Sequence, residues 1–311
     1  MTRVIPATTG TMGARHLPIL LLALAGSACG SSPVMATYEG EDRVESFMQA
    51  DYNRLYRIHV PARMELGPAA PLVLAFHGVG QNGDDFRARS GLDQAAAEAG
   101  FIVVYLEAAM GAWDIFGDLA FLGLDDLAYV REVIDRVEQE FVIDRHRIIA
   151  VGLSNGGVFA QRLGCSLSHR IAGFVAVAAT MPRRLAEECH PSRPTDALYV
   201  TGTADAFFPI AGNSVLLSLD GTMDVWARAN DCDGRRLRSA WPDLEEDGTR
   251  VYWSRYDDCR DGTRTWLDSI VGGGHAWPGG TVAAPSSFGP TSRDVSANDE
   301  IARFLAALRR D

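Results

Sequence analysis

The sequence has no long basic run, no internal repeat and no Pro/Ser/Gly-rich linker, and it is sparing with cysteine. Each shortage excludes something. A formal net charge of -11 without a basic patch lacks the electrostatic footprint of a nucleic-acid binder, and the acidity reads as a solvated surface. Without a linker or repeat, one domain is expected, residues 37–311. At 47% hydrophobic residues it has enough apolar side chains for a large core. Only five cysteines occur, and none of Cys165, Cys189, Cys232 and Cys259 stands at metal-ligand spacing from a histidine, so no zinc site is expected.

The first 36 residues read as an export leader. Arg3, Arg15 and His16 precede the apolar run Leu17–Ala25. That run is roughly 9 residues, against the roughly 20 a membrane-spanning helix requires. Positive charge, a short apolar run and small residues together make a secretory signal. Ala25–Cys29, "AGSAC", followed by "GSS" resembles a lipoprotein cleavage site, with Gly26 where that pattern prefers leucine. Cys29 is therefore a candidate lipidation site and the one route by which a membrane is expected to hold this chain. Ordinary cleavage after Ala28 or Ala36 is the alternative. Export favours disulfides. The four remaining cysteines allow three pairings. The sequence-local choice is Cys165–Cys189 with Cys232–Cys259, each closing a loop of about 25 residues and contributing about 3 kcal/mol. Free buried thiols are the alternative.

Short unbroken apolar runs alternate with amphipathic stretches. "RVESFMQAD" and "RLYRIHVP" read as a starting pair of strands. Pro71–Gly78, Phe101–Glu107, Arg147–Gly152, Ile171–Thr180 and Ala197–Thr203 read as strands buried on both faces. "RVYWSRY" and "TRTWLDSIV" read as late strands. Helices are expected from about Leu92 to Gly100, over Asp125–Phe141, after Ser154, near Ser214–Ala229, and at the C-terminus with Ser296 or Asn298 as cap. This alternation predicts an α/β fold with a mostly parallel central sheet and helices on both faces. Active groups on such a sheet lie beyond the carboxyl ends of its strands. The loops after Phe76, Leu106, Val151, Thr201 and Val271 should therefore face one another.

Gly152-Leu153-Ser154-Asn155-Gly156 is a Gly-x-Ser-x-Gly segment between a strand and a helix. At such an elbow the serine is held in a strained conformation that exposes its hydroxyl beside a helix N-terminus. A serine hydroxyl needs a base. His275 lies in "SIVGGGHAWPGG", where three glycines deliver one imidazole after a late strand. His59 sits inside a strand, and His146, His169 and His190 sit in polar turns. The base needs a carboxylate, and Asp205 closes the strand in "LYVTGTADAFFP". Asp220, Asp224 and Asp268 do not close a buried strand in this way. The order Ser154, Asp205, His275 is that of an α/β-hydrolase. Oxyanion donors are expected from the N–H of Asn155 and of Val79 in "HGVGQNGDDF", a loop that His77 is expected to orient.

These segments, with "VGLSNGGVFAQRLGCSLSHRIAGFVAVAATMP" and "VWARANDC", resemble the polyhydroxybutyrate depolymerase and feruloyl esterase group of secreted α/β-hydrolases, including the LpqC-type lipoproteins. The resemblance runs from about residue 50 to the end. It implies Ser154 as nucleophile, Asp205 as acid, His275 as base and an oxyanion N–H at Val79. It also implies that Cys232 pairs with a downstream cysteine. Trp277 beside the base either floors the substrate site or packs in the core. Phe207 and Phe208, which depart from the group's pattern, either shape the entrance or pack. Ala112–Asp126 is more apolar than a sugar-binding loop should be, which tilts the substrate towards apolar or polyester-like esters.

The implied reaction is hydrolysis of a hydroxyalkanoate, feruloyl or acetyl ester through an acyl-enzyme, without metal or organic cofactor. No insertion between Thr203 and His275 is long enough for a large lid, and an open cleft suits a polymeric ester. Two other readings stand beside it: a non-catalytic carbohydrate- or ester-binding protein on the same scaffold, and a serine peptidase.

Overall fold

Unbroken apolar runs build the centre of the molecule. The structure is a computed structural model that describes residues 40–62 and 69–308. The expected leader and Cys29 lie outside the described residues. In chain order the elements are β1 (Glu41–Gln49), β2 (Tyr52–Val60), β3 (Ala70–Phe76), α1 (Gly83–Ser90), α2 (Leu92–Ala99), β4 (Ile102–Leu106), α3 (Asp126–Glu140), β5 (Ile143–Leu153) and α4 (Asn155–Ser166). There follow β6 (Gly173–Val177), α5 (Arg183–Glu188), β7 (Asp196–Gly202), α6 (Leu219–Ala229), β8 (Leu237–Ala240), β9 (Arg250–Tyr256), β10 (Thr265–Val271) and α7 (Ala297–Ala307).

The strands form one sheet in the order β1-β2-β4-β3-β5-β6-β7-β10-β9-β8. From β4 to β10 every neighbouring pair is parallel. The edges, β1 with β2 and β9 with β8, pair antiparallel. Every residue of β3, β4, β6 and β7 is buried. Alternate residues of β3 divide between two cores. Leu72, Leu74 and Phe76 pack with Tyr129 and Val133 of α3, Phe159 and Leu163 of α4, and Met223 and Trp226 of α6. Val73 and Ala75 pack with Phe86 of α1, Leu92 and Ala96 of α2, and Ile301 and Phe304 of α7. The expected sheet with helices on both faces is the one observed.

Several boundaries differ from the sequence reading. Three elements were not anticipated, namely α1, α5 and the four-residue strand β8. Helix α1 has little apolar periodicity and is instead fixed by its ends, with Asn82 Oδ1 accepting from Asp85 N and Gly91 closing it at φ 72°. Helix α6 starts at Leu219, where Ser218 caps it, rather than near Ser214. Residues 214–218 form a loop that the active cleft uses. At α7 the cap is Ser296, whose hydroxyl accepts from Asp299 N. Between β7 and β10, α6 is the only α-helix among the described residues, and it packs in the core.

The disulfides are Cys165–Cys189 and Cys232–Cys259, with sequence separations of 24 and 27. The sequence-local pairing is thus the one formed. The first ties α4 to the end of α5. The second ties Cys232, three residues beyond α6, to the turn between β9 and β10.

A buried charge cluster fastens α7 to the sheet. Asp268 of β10 accepts from Arg255 Nη2 of β9 at 3.0 Å, and Glu300 of α7 lies 3.6 Å from the same nitrogen. Arg303 contacts the other oxygen of Glu300 at 2.6 Å. Burial, then the negative charge of Asp268, push the Glu300 carboxyl up to about 7. A carboxyl raised on folding contributes stability below its unfolded value, and this is lost as pH rises through the folded value. Glu300→Gln cannot ionise. Denaturant unfolding at pH 5 and pH 8 should show wild type losing roughly 2–3 kcal/mol more than the variant over that interval.

Candidate active site

Three close contacts, two of them to backbone, explain the glycines around Ser154. A Cβ on Gly152 would lie 2.2 Å from Gly156 C and O. One on Gly156 would lie 2.2 Å from Phe76 O and 2.5 Å from His77 O, and one on Gly157 2.9 Å from the Ala179 side chain. The start of α4 therefore sits directly on the carboxyl ends of β3, β5 and β6. Between these glycines Ser154 adopts φ 58°, ψ -122°. Such a conformation costs a non-glycine residue about 1–3 kcal/mol. Ser154 occupies the N-cap position of α4 but makes no side-chain cap bond, so its hydroxyl is left for other work.

His275 and Asp205 meet because their loops interlock through the backbone. Thr203 N donates to Ile270 O at 2.9 Å and Ala204 N to Gly273 O at 2.8 Å. A Cβ on Gly202 would lie 2.2 Å from Gly273 O, so only glycine permits this approach. His275 N donates to Phe288 O at 2.7 Å. With both loops pinned, His275 Nδ1–H donates to Asp205 Oδ2 at 2.7 Å. The other carboxylate oxygen accepts from Phe207 N at 2.8 Å and Phe208 N at 2.9 Å. Asp205 is 3% exposed and stands behind the imidazole. The ring is walled by aromatics: Phe208 stacks at 5.9 Å between centroids and an 8° interplanar angle, with Phe207 at 4.9 Å and Phe288 at 5.6 Å.

Ser154 and His275 line one cleft of about 710 Å³, together with Val79, Asn155, Phe207, Phe208 and Trp277. Every residue singled out for the reaction or the substrate thus lies on this cleft, apart from Asp205 behind it. Among the described residues Ser154 Oγ makes no hydrogen bond to His275. Trp277 has a double role: it borders the cleft, yet it is 7% exposed, packs edge-on against Phe86 at 5.2 Å and donates to Asn298 Oδ1 at 3.1 Å.

Among the described residues of the loop after β3, the N–H groups of Gly78, Gly80 and Gln81 are engaged, which leaves that of Val79 unpaired between them. Ala108 N donates to His77 Nε2 at 3.1 Å, so His77 Nδ1–H donates to Gly78 O at 2.8 Å. Burial holds the His77 pKa below the usual imidazole value, which keeps the acceptor nitrogen available. Trp113 Nε1 donates to His77 O at 3.0 Å, and Trp113 N donates to Asn155 Oδ1 at 2.7 Å. The side chain of Asn155 is thereby committed, while its N–H and that of Val79 carry no hydrogen bond among the described residues.

The apolar segment Ala112–Asp126 is organised by Asp114, whose carboxylate accepts from the N–H groups of Phe116, Gly117, Asp118 and Leu119. It places Ile115 and Phe116 in the cleft, whereas Phe121 points away and is 81% exposed. Sequence reasoning missed Val215, Leu216, Pro285 and Phe288, which complete the apolar wall, and Arg89, the one acidic or basic side chain besides His275 that borders it among the described residues. The first four come from segments outside the sheet and the α-helices, and Arg89 from a helix with little apolar periodicity, so no motif marks them.

No family model matches the sequence. NocK of Nocardia uniformis subsp. tsuyamanensis, which is named as an esterase, is 31% identical over 276 residues, covering 82% of this chain and 80% of that protein. The chain belongs to this esterase family. Its class is therefore carboxylic ester hydrolase, as the nucleophile elbow led us to expect. Feruloyl esterase B of Piromyces equi is 27% identical over 223 residues, and the match spans only 40% of that longer protein. Among solved structures, the acetyl xylan esterase from Aspergillus awamori superposes with a TM-score of 0.59 at 13% identity, over 85% of this chain and 99% of that one. That likeness concerns the fold alone: the parallel sheet with its two helical layers is the α/β-hydrolase fold.

The elbow's packing gives a direct test. Gly156→Ala forces a methyl group into the Phe76 and His77 carbonyls and should cost about 3 kcal/mol or more. Circular dichroism of the variant should show a midpoint many degrees lower, or little folded protein.

Proposed function

We propose that the chain is an exported serine esterase of the polyhydroxybutyrate depolymerase and feruloyl esterase group, acting through an acyl-enzyme on Ser154. The observation that carries this reading is the 2.7 Å bond from His275 Nδ1–H to Asp205, made beside the cleft that holds the strained serine. That bond leaves Nε2 of the neutral ring as the basic nitrogen. Nε2 takes the Ser154 proton as the oxygen attacks the ester carbonyl, and the contact between them forms as substrate binds. The N–H groups of Asn155 and Val79 hold the oxyanion. The imidazolium, steadied by Asp205, protonates the leaving alcohol, and water repeats the sequence on the acyl-enzyme. These steps use only side chains, backbone and water.

The catalytic domain is residues 37–311, and its two disulfides support an extracytoplasmic location. A lipid on Cys29 would hold it at a membrane, and the mass of the mature N-terminus distinguishes that from a freely released enzyme. The apolar lining favours esters with an aromatic or aliphatic acyl group, feruloyl or hydroxyalkanoate, over small acetyl esters of sugars. One relative's name points to feruloyl esters.

Hydrolysis of short para-nitrophenyl esters is the first measurement. Ser154→Ala should lower kcat by about 10⁴-fold or more, and Asp205→Asn, which keeps the side chain's size, by about 10⁴-fold. Ser154→Ala acting as fast as wild type, or cleavage of peptides with esters untouched, would sink the reading.

A further inference from the structure

The cleft carries an electrostatic feature that ester hydrolysis does not require. The chain has 40 acidic residues, yet among the described residues none lines the cleft. Arg89 is the sole Asp, Glu, Lys or Arg among the described residues that does. Its guanidinium makes no hydrogen bond and no ion pair among the described residues. Of the carboxylates on and beside α1, Asp93 and Asp42 hold Arg87 at 2.6 Å each and Asp84 holds Arg57, while Asp85, exposed one turn before Arg89, makes no ion pair with it among the described residues.

The backbone of Arg89 is fixed to the loop that follows the imidazole. Its carbonyl accepts from Thr281 N at 2.9 Å, and the neighbouring Ser90 O accepts from Asn298 Nδ2 at 2.7 Å. A Cβ on Gly280 would lie 2.6 Å from Arg89 O, so the two segments meet backbone to backbone. Arg89 is thus a half-buried part of the wall rather than a loose surface group. Arginine remains protonated, and a cation held beside apolar walls without a counter-charge is disfavoured. A place in the last turn of α1 accounts for a positive charge at the helix end. It does not account for a cation facing a cavity from which every acid is missing.

We infer that Arg89 selects esters that carry a carboxylate, which it binds through paired charge-assisted N–H···O bonds while Ser154 meets the ester carbonyl. The inference rests on the esterase reading of the cleft. It also fits the chain's net charge of -11, which repels anions at long range, so that a local cation is needed to hold one. The carboxylate stands on the acyl or the alcohol side of the scissile bond, and the substrates below separate the two.

The acyl-side pair is para-nitrophenyl hydrogen glutarate against para-nitrophenyl pentanoate. The alcohol-side pair is meta-acetoxybenzoate against meta-acetoxybenzamide. In one pair kcat/KM for the charged ester should exceed its neutral partner by about tenfold or more, the effect of one charge-assisted hydrogen bond. The excess should fall towards unity in Arg89→Gln, be kept in part by Arg89→Lys, and shrink in wild type as salt is raised. Wild type treating both pairs alike, or a preference surviving Arg89→Gln, overturns the assignment. Hydrolysis of the neutral esters tests the esterase reading separately, so a charge-blind enzyme removes the role of Arg89 alone.

Discussion

The site depends on a contact of backbone against backbone, where the first turn of α4 rests on the ends of β3 and β5. Gly156 lies against the carbonyls of Phe76 and His77, and Gly152 against Gly156 itself. No side chain fits there, and the chain can pass only if the residue between bends to positive φ. That residue is Ser154. Its exposure is therefore a result of packing in the sheet rather than of anything the serine does. The same contact brings the loop beginning at His77 alongside the N-terminus of α4, which is why the free N–H groups of Val79 and Asn155 border the serine's cleft.

The second half of the site repeats this logic. Strands β7 and β10 are parallel neighbours, and their following loops exchange backbone hydrogen bonds before any side chain is considered. Asp205 then serves two ends with one carboxylate: one oxygen fixes the turn through Phe207 and Phe208, and the other fixes the imidazole. A carboxylate held by two N–H donors is well placed to orient a ring without swinging away. The aromatic walls around His275 come from the same two loops, with Phe207 and Phe208 on one and Phe288 beyond the other.

Much of this was legible in the sequence. The strands β3, β4, β6 and β7 announced themselves as unbroken apolar runs, since strands covered on both faces need no polar side. Gly-x-Ser-x-Gly, the three glycines before His275 and Asp205 after a strand were readable because each marks a close backbone approach. The cysteine pairing was readable as the shortest of three choices. Helix α1 was hidden because its caps define it and its apolar periodicity is weak. The loop 214–218 read as helix because Ser214 and Ser218 look alike as caps, and only packing chose the second. Val215, Pro285 and Phe288 gave no signal, because segments remote in sequence converge on the cleft only after folding. Arg89 was equally silent: its meaning lies in the absence of acidic side chains from the described lining of the cleft.

Both disulfides lie on one side of the sheet. Cys165 and Cys259 belong to the core beneath α3, α4 and α6, and Cys189 and Cys232 pack against it. The opposite layer, α1, α2 and α7, has no covalent tie among the described residues and holds on through burial, hydrogen bonds such as that of Asn298 to Ser90 O, and ion pairs that include the Glu300 cluster. The molecule is therefore asymmetric in what an oxidising environment does for it. Sulfur chemistry stiffens the half that supports the nucleophile's helix, and the half that carries Arg89 and backs Trp277 keeps the freedom to yield first.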